Sequence, residues 1–213
     1  METKGGLLLV FVVLALSAAT TNATIVTIGI TGEITYVGRG EWPNENFKVG
    51  DIITGSYTYD TDTPDQNPSP TIGHYQYSTV PYGIILQTDN FVFKPDPDHV
   101  DFLITILNDN SGRDCYCLLN YGTILLPDNI HIGTIGWQLD DYSGTALDTD
   151  ALPTTLPSLE NWQGELMIES SYKGGAILGA RVSTVYLIPE PATLLFLTLG
   201  GAILMKHKWY VNR

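Results

Sequence analysis

Cysteine is scarce in this chain: 213 residues hold two, Cys115 and Cys117, with only Tyr116 between them. No second Cys pair or His pair sits at ligand spacing, so the usual Cys or Cys/His metal centre has no support. Residues two apart on a strand carry β-carbons roughly 6 to 7 Å apart, further than a disulfide tolerates. A Cys115–Cys117 bridge therefore needs a bulge or turn; two reduced, half-buried thiols are the alternative. Cations are scarce too. Between Thr24 and Ile188 six basic residues (Arg39, Lys48, Lys94, Arg113, Lys173, Arg181) face 21 acidic ones, a net charge of −15. Such a surface repels nucleic acid, and anionic polysaccharide approaches it only with divalent cations as bridges. Helical periodicity is missing from the body, and no repeat of fixed period points to a propeller or solenoid. Hydrolase signatures are missing as well, with neither a Gly-x-Ser-x-Gly elbow nor a His-Glu-x-x-His pair.

What is present divides the chain into three parts. Residues 1–23 carry Lys4, the apolar run Leu7–Leu16 and a small, polar stretch to Ala23, the layout of a secretory signal peptide. Cleavage after Ala19 or Ala23 leaves small residues at the recognised positions, and Ala23 is favoured because a β-like run begins at Thr24. Ten apolar residues are too few to span a hydrocarbon core of about 30 Å.

Residues 24–188 read as β throughout, short branched and aromatic runs being punctuated by Gly, Pro, Asn and Asp. Val100, Phe102, Ile104 and Ile106 alternate with Asp101, Leu103, Thr105 and Leu107, the pattern of a strand with one face in a core. Ile53, Gly55, Tyr57 and Tyr59 alternate in the same way with Ile52, Thr54, Ser56 and Thr58. Ten to twelve such strands are expected to pack as an all-β, antiparallel sandwich of jelly-roll type, since a single sheet of that size is unusual. Asp148–Pro157 is the least strand-like stretch and is expected to be a long surface loop.

Residues 189–213 hold Pro189-Glu190-Pro191, the uncharged span Ala192–Met205, and Lys206-His207-Lys208-Trp209-Tyr210. The prolines halt the last strand because neither donates to a ladder. The 14 residues of the span make a transmembrane helix of about 21 Å, short of the roughly 30 Å core unless Lys206 and Lys208 snorkel. Basic residues beyond the span would stay on the cytoplasmic side, leaving the body outside. Pro-Glu-Pro, a Leu-rich span with Gly200-Gly201 and a basic end, in this order, resemble the PEP-CTERM sorting signal. Here the end is Lys206-His207-Lys208, where that family usually carries an Arg cluster. The resemblance implies recognition of Pro189, Glu190 and Pro191 by exosortase, a membrane transpeptidase-like enzyme of bacteria that make exopolysaccharide. It also implies delivery to the cell envelope, outer surface or extracellular matrix after transient anchoring in the inner membrane. The openings Val49-Gly50-Asp51, Thr54–Asp60 and Gly73-His74-Tyr75 resemble β-rich ectodomains that such proteins carry.

For chemistry in the body, acidic turns are the candidates. Asp60, Asp62 and Asp65 place oxygen donors on one turn and suit calcium, although Asn and Asp also cap turns through their own backbone. Asn108–Asp114 and the group Asp96, Asp98 and Asp101 are further acidic turns. Tyr57, Tyr59, Trp42, Trp137 and Trp162 are either a sugar-stacking platform or core. These readings lead to a non-enzymatic structural or binding module with no required cofactor. The alternatives are a secreted carbohydrate-active or other hydrolytic domain, and a membrane-retained ectodomain that senses a ligand.

Overall fold

The structure is a computed structural model that describes residues 25–39, 46–126, 130–160, 162–170 and 175–189. The expected signal peptide, Glu190, Pro191 and the apolar span lie outside the described residues. Among the described residues ten strands run in chain order: β1 (Ile25–Val37), β2 (Ile52–Asp60), β3 (Ile72–Tyr77), β4 (Gly83–Gln87), β5 (Val92–Phe93), β6 (Asp101–Leu107), β7 (Asp114–Leu126), β8 (Ile130–Asp141), β9 (Gln163–Ser170) and β10 (Gly175–Leu187). Every pairing is antiparallel.

The all-β antiparallel class expected from the alternation is what the structure shows. The expected division into two separate sheets is not: all ten strands join one hydrogen-bonded sheet, in the order β3-β6-β7-β8-β9-β10-β1-β2-β4-β5. Chain connectivity explains how one sheet encloses a core. β3 and β4 are joined by residues 78–82 alone, which extend over roughly 20 Å at most. In a flat sheet they would stand eight strand spacings apart, about 38 Å. The sheet must curl, and it does. Tyr57 on β2 meets Tyr116 on β7 and Trp137 on β8, with ring centroids 6.4 and 5.4 Å apart, and Tyr77 Oη at the β3 edge donates to the Asp60 carbonyl at the end of β2 (2.9 Å). One curled sheet thus does the work of two facing ones, because its halves bury their inner rows against each other.

The inner rows follow the two-residue period of the sequence. Val100, Phe102, Ile104 and Ile106 are all buried, as are Ile53, Tyr57 and Tyr59. At Gly32 and Gly122 a strand continues beside an irregularity of register. Opposite the Thr31–Gly32 step of β1 the extra residue is Ser183 of β10, while the β1–β2 ladder runs on without a shift; in β7 the register shifts between Tyr121 and Ile124, where Gly122 has φ +126°. In β7 a glycine accommodates the extra residue without ending the ladder, whereas Gly32 lies opposite the irregularity of its partner strand.

Candidate functional site

The paired ends of β7 and β8 carry polar and sulfur side chains on both faces of the sheet. Alternation sorts them. Asp114 and Asp141, cross-strand partners, lie on the inner side, whereas Cys115, Cys117, Gln138 and Asp140 lie on the outer side.

On the inner side the two aspartates organise the loops that close the mouth of the curl. Asp114 is fully buried; its Oδ1 accepts the Asp109 N–H (2.6 Å) and its Oδ2 the Leu147 N–H (2.8 Å). Asp109 and Ser111 adopt left-handed φ values of 49° and 60°, so the carboxylate holds a turn whose backbone is strained. Asp141 accepts from the Ser143 N–H and hydroxyl (2.8 and 2.6 Å) through one oxygen and from the Thr145 N–H (2.8 Å) through the other. Those bonds, the Ser143 hydroxyl first, draw its pKa down to about 2.

From there residues 142–160 cross the mouth as a strap without strands. Tyr75 Oη donates to the Asp150 carbonyl (2.9 Å) and Tyr59 Oη to the Pro153 carbonyl (2.6 Å). Asn108, with its amide turned to satisfy both ends, bonds Leu147 and Thr149. Within the strap Leu152 is buried in the core, and Leu147, Leu156 and Leu159 pack against it. The stretch expected to be a surface loop is therefore a cover over the core, fastened by side chains and not by a ladder. Below it, Tyr57, Tyr116 and Trp137 sit in the core together with Asn120, and the buried polar atoms Tyr57 Oη, Tyr116 Oη, Trp137 Nε1 and Asn120 Oδ1 have no partner at hydrogen-bond geometry among the described residues. Burial pushes both of these tyrosines well above their ordinary pKa.

On the outer side the guanidinium of Arg113 bonds Asp140 (Nε to Oδ1, 3.0 Å) and lies 5.5 Å from the centre of the Tyr142 ring. Gln138 Nε2 donates to the same carboxylate (2.8 Å to Oδ2). Cys115 is buried and Cys117 half-buried, and both are free thiols. The ladder passes through them without a bulge, Cys115 opposite Leu107 and Asp140, Cys117 opposite Thr105 and Gln138. The local condition for a bridge between them is thus not met.

The acidic turns named from sequence have local partners. Asp60 Oδ1 accepts the Asp62 N–H (2.9 Å), closing the turn after β2. Asp65 Oδ1 accepts two N–H groups, from Asn67 and His74 (both 2.8 Å), and Gln66 N–H reaches the His74 carbonyl (2.9 Å). This turn covers the outer edge of β3 with groups of its own, protecting an otherwise unpaired strand. Asp96 accepts from the Asp98 N–H and pairs with His99 (both 3.0 Å). No three His, Cys, Asp or Glu side chains converge as a ligand set among the described residues. Tyr57, Tyr59 and Trp137 are buried, Trp162 is half-buried against the core, and Trp42 lies outside the described residues.

Sequence reading missed Asp114 and Asp141 as paired anchors. The signal for Asp141 is Ser at the second and Thr at the fourth following position, the spacing of a side-chain-capped turn. Comparison with protein-family profiles, with curated proteins and with solved structures finds no match to this chain.

Proposed function

We propose that the chain is an exported protein whose β-rich, sandwich-like body is delivered to the cell envelope or extracellular matrix by exosortase and works there as a structural or binding module. The observation that carries this reading is the order Pro189-Glu190-Pro191, apolar span, basic end, placed directly after the last strand. β10 ends at Leu187, and its neighbour Ile188 makes a closing backbone bond to the Thr27 carbonyl (3.0 Å). One residue, Pro189, separates that bond from Glu190, so a peptidase would meet the motif beside a finished fold. The fastening of Asp60, Asp65, Asp114 and Asp141 to backbone N–H groups supports a structural use of those carboxylates. In this reading residues 1–23 direct export, the short transmembrane helix holds the chain while exosortase acts, and the acidic body meets exopolysaccharide through bridging cations.

Mass spectrometry of the protein from its native host, with and without the exosortase gene, tests the delivery route. The expected result is loss of Pro191–Arg213 from the mature protein only when exosortase is present. Retention of that segment in both strains would sink the proposal.

A further inference from the structure

Cys115 and Cys117 leave β7 on the same side, and the unbroken ladder on both flanks keeps them there. The Cys117 sulfur also stands 4.0 Å from Gln138 Oε1. A ring-closing disulfide needs β-carbons about 3.5–4.5 Å apart, against the roughly 6–7 Å of neighbours along one face of a strand. Side chains at neighbouring positions on one face can turn toward a shared partner, while the backbone opposes a direct bond between them. Zinc requires four ligands and calcium six or more, but no third acidic, His or Cys group converges here among the described residues. Two soft donors alone match a soft, low-coordinate ion, and thiolates select Cu(I) over the hard cations.

We propose that Cys115 and Cys117 form a two-thiolate site for a single Cu(I) ion on the outer face of β7. Binding replaces two S–H bonds by two S–Cu bonds and releases two protons to solvent, and no electron changes hands. The bis-thiolate complex carries one negative charge on the face that also holds the Arg113–Asp140 ion pair. Half-burial of Cys117 leaves an approach from solvent, whereas buried Cys115 shields the far side from water.

The test uses the full chain, reduced, in detergent and without oxygen, titrated with Cu(I) carried by a chromogenic chelator. A single ion per chain should leave the chelator, with an ultraviolet thiolate-to-copper band, and Cys117→Ser should weaken capture by at least about tenfold. Because Cys115→Ser changes a buried group, alkylation of the wild-type chain is the second readout. Cu(I) should protect both thiols from iodoacetamide. Equal capture by wild type and Cys117→Ser, one copper shared between two chains, or unprotected thiols at saturating Cu(I) would each overturn the site.

Discussion

The ring of Tyr186 lies across Gly29. The two residues are cross-strand partners on the outer face of β10 and β1, and a β-carbon added at Gly29 would sit 2.3 Å from Tyr186 Cζ. An aromatic side chain thus covers the backbone that a glycine leaves bare in mid-strand. Tyr186 is 45% exposed, so its ring has somewhere to swing. Gly29→Ala is expected to cost about 1 kcal/mol, the low end of overpacking. In a Tyr186→Ala background the same change should cost almost nothing, and a double-mutant cycle in urea measures the coupling. Additive effects would show that the ring does not rest on Gly29.

The strap offers a harsher case of the same geometry. A β-carbon at Gly73 would meet the Asp150 carbonyl oxygen at 2.2 Å, and Asp150 belongs to the cover fastened by Tyr75. Backbone cannot swing aside as a ring does. Gly73→Ala should therefore cost about 1–3 kcal/mol and loosen the strap. Limited proteolysis followed by mass spectrometry should find new cleavage within residues 142–160 and leave the strands intact. Tyr75→Phe, which removes the bond without a clash, should give the same cuts at a slower rate.

Asp114 fastens two loops at once from a fully buried position. Asp114→Ala strands the N–H groups of Asp109 and Leu147, and a loss of about 3 kcal/mol follows. Asp114→Asn keeps the shape and one acceptor, so its loss should be about half of that. Chemical denaturation ranks the two variants, and equal stability of Asp114→Ala and wild type would remove Asp114 from its anchoring role.

Acid should act through Asp141. Its folded pKa of about 2 lies below the unfolded value of about 3.9. On acidification the unfolded chain takes up the proton first, so the stability contributed by this carboxylate is complete above about pH 4 and disappears as pH falls through about 2. Asp141→Asn, with one acceptor oxygen instead of two, should be less stable at neutral pH and show a shallower loss over that interval. Urea midpoints measured against pH decide this, and parallel curves would count against it.

The core aromatics divide by what their polar atoms touch. Trp137→Ala should cost about 3–5 kcal/mol, as the loss of a large buried side chain does. Tyr57→Phe and Tyr116→Phe remove hydroxyls that have no partner at hydrogen-bond geometry among the described residues, so each should fall within about 0.5 kcal/mol of wild type or gain stability. A loss of about 1 kcal/mol or more in either would mean that its hydroxyl is well bonded in solution.

Strand positions were legible where alternation was clean, as in β2 and β6, because a period of two is imposed on any strand with one buried face. Boundaries at Gly32 and Gly122 were not. A glycine that ends a strand and one that bulges it have the same local preference, and only the partner strand tells them apart. The acidic turns were legible as turns, yet their partners were not. His74, held by Asp65, is nine positions away, and Leu147, held by Asp114, is 33 away. Burial of Asp114 is likewise invisible in the sequence, since its neighbours in the chain are charged or polar on one side only.

By itself the sequence determined the β class, the acid excess, the same-face spacing of two cysteines and the order of apolar, proline-flanked and basic segments, since these depend on composition and on spacing along one segment. Tertiary structure alone decided that ten strands form one curled sheet, that residues 142–160 cover its mouth, and that Cys115 and Cys117 stand beside Gln138, Asp140 and Arg113. Each of those depends on which distant strands meet, and strand partnership is set by long-range burial and chain connectivity instead of by local preference.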